Sequence, residues 1–312
     1  MRAPMISPIR RVRPASVRPQ PVGPGDNLRG AGLMVMAMIG FTCNDVVMKF
    51  VTQDMPLYQT IALRGLMVML GIALIAAREG GLRLYVAPGD RGPMPWRIVG
   101  EVASALLFLN ALLHMEIADL SAIMQALPLA VMLGAALFFG ETLGWRRILA
   151  VGVALIGVLM ILRPGGDSFG IWSLMGVGAM LTVVLRDLAT RLFSRDVRSS
   201  TIAFYTAFVV MLTGAVLTPF QGWVMPTLTH IALLALSAAF LTAGYVCAVS
   251  AMRVGEISAV APFRYTSLLA AIVLGVIVFG DWPDPWTWAG SALVVTAGIY
   301  TIWREAQLGR RS

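Results

Sequence analysis

The chain has 312 residues, of which 58% are hydrophobic and only 13% charged, with a formal net charge of +8. A soluble domain carries about 25% charged residues, so this apolar surplus excludes a single soluble core. The positive charge does not mark a nucleic-acid binder either: Lys49 is the only lysine, and the arginines gather at the ends of apolar runs, as topology signals do.

Residues 1–29 are rich in Pro and Arg and hold no long apolar stretch, so they read as a disordered basic cytosolic tail rather than a cleavable signal peptide. Ten candidate spans follow, each near the roughly 20 residues that a helix needs to cross a bilayer. They run over about 30–51, 57–77, 98–117, 120–140, 147–163, 171–191, 200–220, 228–251, 257–279 and 286–303, and residues 304–312 form a second cytosolic tail. Connections as short as that around Asp54–Pro56 make neighbouring spans antiparallel, while the Gly/Pro-punctuated stretch Arg78–Arg97 reads as an irregular loop. With ten spans, every arginine outside them falls on one side except Arg163. That asymmetry predicts a multi-pass protein of a bacterial-type inner membrane with both termini cytoplasmic.

Each ionisable group inside a span needs a protein or water partner, because charge in hydrocarbon costs several kcal/mol. In the first span Asp45 and Lys49 stand at i and i+4, with Asn44 beside them. Either they neutralise each other and Lys49 reaches the interface, or they face a cavity where substrate or a proton competes for one partner. Arg64 in the second span and Arg264 in the ninth have no acid within a turn. They either pair across helices with Asp45 or Asp187, or mark a place visited by an anionic group.

In the third span Asn110 and His114 share a face, and His114 is either a proton-coupling group or a packing residue. Pro128 breaks the fourth span one turn after Gln125, and Pro262 breaks the ninth beside Arg264 and Tyr265. The Arg186–Asp187–Arg191 set near the cytosolic end of the sixth span is a gate, an anchor or a ligand contact. Tyr205 and Tyr245 either stack on a planar substrate or place hydroxyls in a polar seam. Met34, Met36 and Met38 read as adaptable packing, Trp282, Trp286 and Trp288 as an interfacial belt, and Glu141 as a cytosolic cap. Cys43 and Cys247 lie in apolar runs and read as packing residues; no metal site and no cofactor is indicated.

The halves repeat. Ser121–Glu141 and Ser258–Asp281 both open on Ser-Ala, contain a proline and end on Phe-Gly-acid, and Asn44-Asp45…Lys49 matches Arg186-Asp187…Arg191. Five spans per half is an odd number, so the second half must be inserted upside down. The fold class predicted is all-α integral membrane, ten transmembrane helices as two inverted five-helix repeats, residues 30–163 and 164–303, a plan many secondary transporters share.

Four stretches, NDVVMKF, ALPL…FFGE, RDLATR and APFRYTS…VFGDWPDPWTWAG, carry a resemblance to the EamA branch of the drug/metabolite transporter superfamily. The ND…K and AP-aromatic-RY pattern is similar to the branch that includes S-adenosylmethionine uptake carriers. The resemblance covers about residues 30 to 303 and implies a secondary transporter for a small polar metabolite, such as an amino acid or a nucleoside-like or vitamin-like compound, working by alternating access. Exporters of amino acids, opine metallophores or drugs are the alternative it leaves open. No Walker-type phosphate loop is present, so an ion gradient or exchange would drive it. A membrane enzyme is disfavoured by the lack of paired carboxylates at metal-bridging spacing, a Ser/His/Asp set or a His/Cys cluster. Spans one to four and six to nine are expected to line a polar cavity, leaving five and ten peripheral, where a homodimer contact would form.

Overall fold

The structure is a computed structural model, described over residues 24–78, 81, 85, 86, 88–140, 144–163, 170–193, 199–254 and 260–309. Residues 1–23, Glu141 and the side chain of Arg191 lie outside the described residues, as do the readings of the Glu141 cap, Arg191 and most of the first tail; residues 24–29 of that tail are helical instead, as the start of the first helix.

Eleven α-helices make up the described spans. α1 (Pro24–Val51) begins before the apolar run, and α2 (Leu57–Arg78) returns after a short turn. α3 (Pro93–His114), α4 (Ile117–Met124), α5 (Leu127–Phe139) and α6 (Trp145–Leu162) complete the first half. α7 (Ile171–Arg191), α8 (Ser199–Gln221), α9 (Leu228–Val254), α10 (Thr266–Leu274) and α11 (Pro285–Gly309) form the second. The fourth span is α4 and α5 joined end to end. The ninth is a 3₁₀ turn (Ala261–Tyr265), α10 and a π-helical turn (Gly275–Phe279) in series. Among the described residues eight spans are long and apolar enough to cross a bilayer, Ile148–Leu162 of α6 is a shorter apolar helix, and α11 makes the tenth.

Local chemistry sets the interruptions. Pro128 has no N–H to give the carbonyl of Met124, and the fourth span kinks at Gln125–Ala126 just before it. Pro262 sits in the tight turn that opens the ninth span. Gly140 and Gly280, the glycines of the two Phe-Gly-acid endings, both adopt left-handed φ, 67° and 75°, and stop their spans there. α11 starts where the Asp284 carboxylate accepts the Thr287 N–H at 2.8 Å, an N-cap that also sets Pro285 at the first helical position.

The halves interleave. α1 lies on α9, α3 on α7, α2 on α8, and α6 on α11, while α4 meets α10 where the fourth and ninth spans cross. Exchanging the halves turns the first pairing into the second and returns each of the others to itself, so the packing has the symmetry of two inverted repeats. Small residues allow the close approaches. A Cβ on Gly40 would meet the Phe240 carbonyl at 3.1 Å, and one on Gly100 would meet the Arg186 backbone at 2.9 Å. We call the face where α1 begins proximal and the opposite face distal.

Candidate functional site

The polar residues of the spans fall into three levels. The middle level starts from Asn44, 4% exposed on α1 two turns from its distal end. Its Oδ1 accepts from Arg64 Nη1 on α2 at 3.2 Å and from Ser237 Oγ on α9 at 2.8 Å, and its Nδ2 donates to Asp45 Oδ1 at 2.9 Å. Arg64 therefore reaches Asp45 through an amide rather than directly. Arg64 is itself buried, and its Nε has no hydrogen-bond partner. Close by, Gln125 at the kink of the fourth span donates to Ser267 Oγ at 2.7 Å, and Ser267 Oγ donates to the Arg264 carbonyl at 3.1 Å. Thr42 of α1 is within 3.4 Å of the Ser267 carbonyl. The two broken spans thus meet through side chains that their proline kinks bring to the crossing.

The distal level is built on Lys49. The expected Lys49–Asp45 pair does not form: Lys49 Nζ donates to the Met115 carbonyl at 2.7 Å, pairs with Asp281 at 3.5 Å and stands 5.0 Å over the Phe279 ring. The reason is the π-helical turn, which swings Phe279 and Asp281 toward α1, while α3 ends at His114 and leaves the Met115 carbonyl without a helical donor. Around this lock, Arg163 pairs with Asp284, and Thr287 donates to Asp119 at 2.6 Å. Glu116 joins no ion pair among the described residues. Burial, and after it the Asp119 and Asp281 carboxylates, hold its carboxyl above the usual range, against the pull of Lys49 and Arg163.

A raised pKa means the folded state holds that proton more tightly than the unfolded chain, so stability falls as pH rises through and above the ordinary carboxylate range. Glu116→Gln is therefore expected to raise the melting temperature by about 1–2 °C at pH 7 and to change nothing at about pH 3, well below the ordinary carboxylate range, where both states are protonated. Equal gains at both pH values would show that charge is not the cause.

The proximal level lies between α3 and α7. Arg186 Nε donates to Asp187 at 2.9 Å, its Nη1 stands 3.6 Å from Glu101, and Arg97 Nη1 stands 3.2 Å from Glu101. The Arg97 contact is an ion pair without hydrogen-bond alignment, since its Nε and Nη1 are unpartnered. Tyr245 of α9 is in electrostatic range of both guanidiniums and half exposed. This level occupies the place that exchange of the halves assigns to the Asn44 set, with Arg186-Asp187 standing for Asn44-Asp45.

The remaining sequence-predicted residues are scattered. Asn110 donates back to the Leu106 carbonyl at 2.7 Å, and His114, exposed at the distal end of α3, stacks on Trp172 with ring centroids 3.5 Å apart. Tyr205 is half-buried beside Phe204 on α8. Arg264 is exposed and, among the described residues, makes no ion pair, so the expected pairing with Asp187 is absent. Tyr265 is buried with its hydroxyl unpartnered against Gly298 of α11. Trp282, Trp286 and Trp288 are exposed at the distal end, as a belt requires. A groove of about 690 Å³ between α2 and α8, lined by Leu63, Leu66, Met211 and Trp223, is apolar and is not the expected polar chamber; at the crossing the halves touch directly.

Sequence reasoning missed Thr42, Glu101, Ser237 and Ser267. Serine and threonine in an apolar helix ordinarily bond their own i−4 carbonyl, so nothing in the pattern singles them out. It also missed Gln59, fully buried, which exchanges two hydrogen bonds with the Val224 backbone at 2.6 and 3.0 Å and ties α2 to the α8–α9 connection.

Known proteins share this plan. The model of the EamA-like transporter family matches residues 28–163 and again 170–304. A riboflavin transporter of Rhizobium johnstonii is 27% identical over 93% of this chain and 96% of its own length. A pseudopaline exporter of Pseudomonas aeruginosa is 26% identical over 86% and 94%. An S-adenosylmethionine uptake transporter of Rickettsia bellii is 25% identical over 58% of this chain and 62% of its own length. One solved crystal structure superposes with a TM-score of 0.62 at 18% identity, covering 90% of this chain and 98% of that one, a likeness of fold alone. With both halves matched in register with the two sets of five spans, this chain belongs to the EamA-like transporter family, and it is a membrane transporter rather than an enzyme.

Proposed function

We propose that this chain is a secondary carrier of a bacterial-type inner membrane, both termini cytoplasmic, that moves a small polar, ring-bearing metabolite by alternating access. The halves 30–163 and 164–303 are its moving units. The observation that carries this reading is the buried set Arg64–Asn44–Asp45–Ser237 beside the Gln125–Ser267 crossing. It joins the two halves between bridged ends, and the interface of the repeats is where inverted-repeat carriers hold substrate. The full-length relatives named for riboflavin and the partial ones named for S-adenosylmethionine support a substrate with a ring and several hydrogen-bonding groups.

Both ends are bridged between halves here. Lys49–Asp281, Arg163–Asp284 and Asp119–Thr287 bind them distally, and Glu101–Arg186 proximally. Alternating access on this plan releases one set while keeping the other. Lys49→Asp should open the distal face. In a Cys43→Ser/Cys247→Ser background, Ser267→Cys is then expected to react at least about tenfold faster with a membrane-impermeant thiol reagent, and Lys49→Asp/Asp281→Lys should restore the slow rate, because a swapped pair recovers its attraction. Unchanged labelling in the single variant would remove Lys49 from the gate.

The functional reading is tested by counterflow in proteoliposomes, with labelled riboflavin, S-adenosylmethionine and a panel of amino acids and nucleosides, alongside labelling of the termini from each face. Accelerated exchange of one compound by an internal excess of itself is the expected result. Leak without counterflow, or a terminus reactive from the periplasm, would overturn it.

A further inference from the structure

We propose that Asp45 is the specificity-determining residue of this carrier, and that it selects substrates carrying a positive charge, with Arg64 held away as a fixed counter-charge. The inference rests on the carrier reading above and narrows it.

Two donors converge on Asn44 Oδ1, from Arg64 and from Ser237. An amide has one oxygen, so its orientation is fixed and its NH₂ must face Asp45. That NH₂ reaches Asp45 Oδ1 at 2.9 Å. Among the described residues Asp45 has no other hydrogen-bond partner, and no cation within ion-pair distance; Lys49, its expected partner, is held by Met115 and Asp281. Oδ2 is left free.

The free oxygen faces the interior. Asp45 lies on the strip of α1 that carries Thr42 three residues before and Lys49 four residues after, neighbours on one helical face. Thr42 touches the Ser267 carbonyl of the ninth span and Lys49 touches Asp281 just beyond it. Asp45 is nonetheless only half-buried, whereas Asn44 beside it is buried. An inward-facing carboxylate with one oxygen lacking a partner fits a cationic group, whose charge it attracts more strongly than any neutral group. Arg64 does not occupy that place here: its Nη1 bonds the oxygen of the amide whose NH₂ faces Asp45.

The distal approach has the same preference. Glu116, Asp119, Asp281 and Asp284 surround Lys49 and Arg163 among the described residues of that end, and Asp54 stands beside His230 nearby, a surplus of negative charge that would concentrate cations at the mouth. The sequence pattern left two readings of Arg64 open, an ion pair across helices or a place visited by an anion; here its recorded hydrogen bond is to the Asn44 amide.

Two pairs that differ mainly by one positive charge provide the test. They are S-adenosylmethionine against S-adenosylhomocysteine, its neutral thioether, and choline against 3,3-dimethylbutanol, its neutral carbon analogue. Binding is read on purified wild type by thermal shift and competition. At least one cation is expected to bind about tenfold or more tighter than its neutral partner, through direct charge attraction to the carboxylate rather than through a donated hydrogen bond. Asp45→Asn should abolish that ratio and Asp45→Glu should retain it. No preference for the cation in either pair, or a ratio unchanged in Asp45→Asn, would overturn the proposal, and the wild-type comparison decides even if that variant fails to fold. Failure of the carrier reading looks different: counterflow would then be absent for every compound, including uncharged riboflavin.

Discussion

Asn44→Leu is expected to destabilise the protein by about 2 to 4 kcal/mol, far more than Ser237→Ala, although both lose hydrogen bonds at the same amide. Interhelical hydrogen bonds between neutral groups in membrane proteins average about 0.6 kcal/mol, and Ser237→Ala should lose about that much. Asn44→Leu does something different in kind. It removes the acceptor of a buried guanidinium whose Nε already lacks a partner, and it removes the donor that steadies Asp45. A charged group left buried without an acceptor meets most of its desolvation penalty. Unfolding in mixed micelles measures the difference. The triple change Asn44→Leu/Arg64→Met/Asp45→Asn should recover most of the loss, because no charge is then stranded. Equal losses for Asn44→Leu and Ser237→Ala would show that Arg64 finds another acceptor.

The second large effect concerns the α6–α11 crossing. A Cβ placed on Gly290 would lie 2.5 Å from the Gly157 carbonyl oxygen and 2.7 Å from Ile161 Cγ1, and one on Gly157 would lie 2.7 Å from the Gly290 carbonyl. Backbone atoms cannot rotate away, so the helices must separate. Gly290→Ala is expected to cost about 1–3 kcal/mol, and Gly290→Leu more, with a matching fall in melting temperature. Gly152→Ala, on α6 with Gly157 but with nothing within 4 Å, should be neutral or stabilising by up to about 1 kcal/mol, through helix propensity alone. If Gly290→Ala behaves like Gly152→Ala, the two helices do not meet as closely as described. The Arg163–Asp284 pair at the distal end of the same crossing should keep its ends together in Gly290→Ala and limit the damage to the middle.

Several features connect these results to the sequence pattern. The proline in each broken span removes a donor at a fixed place, so Gln125 and the 3₁₀ turn around Pro262 were legible as interruptions. The Phe-Gly-acid endings were legible as a repeat, and both glycines take the left-handed conformation that a side chain resists. Asn44, Asp45, Lys49 and Arg64 stood out because polar groups in an apolar run need partners.

The partners themselves were not legible. Spacing of i, i+4 places Asp45 and Lys49 on one face, yet Lys49 bonds residues of the α3–α4 junction and of the ninth span. His114 and Asn110 share a face as expected, but the end of α3 carries His114 out to Trp172. Glu101 lay at the margin of a span and drew no notice, although it is the acid that Arg97 and Arg186 share.

Membrane insertion, the ten-helix count and the duplicated plan were written in the chain because they depend on sums over about 20 residues, where individual errors cancel. The wiring of the charges depends on angstrom-scale approach between segments far apart along the chain, as between Asn44 and Ser237. Helical periodicity fixes the direction in which a side chain leaves its own axis, and only the packing of the interleaved halves decides what stands opposite.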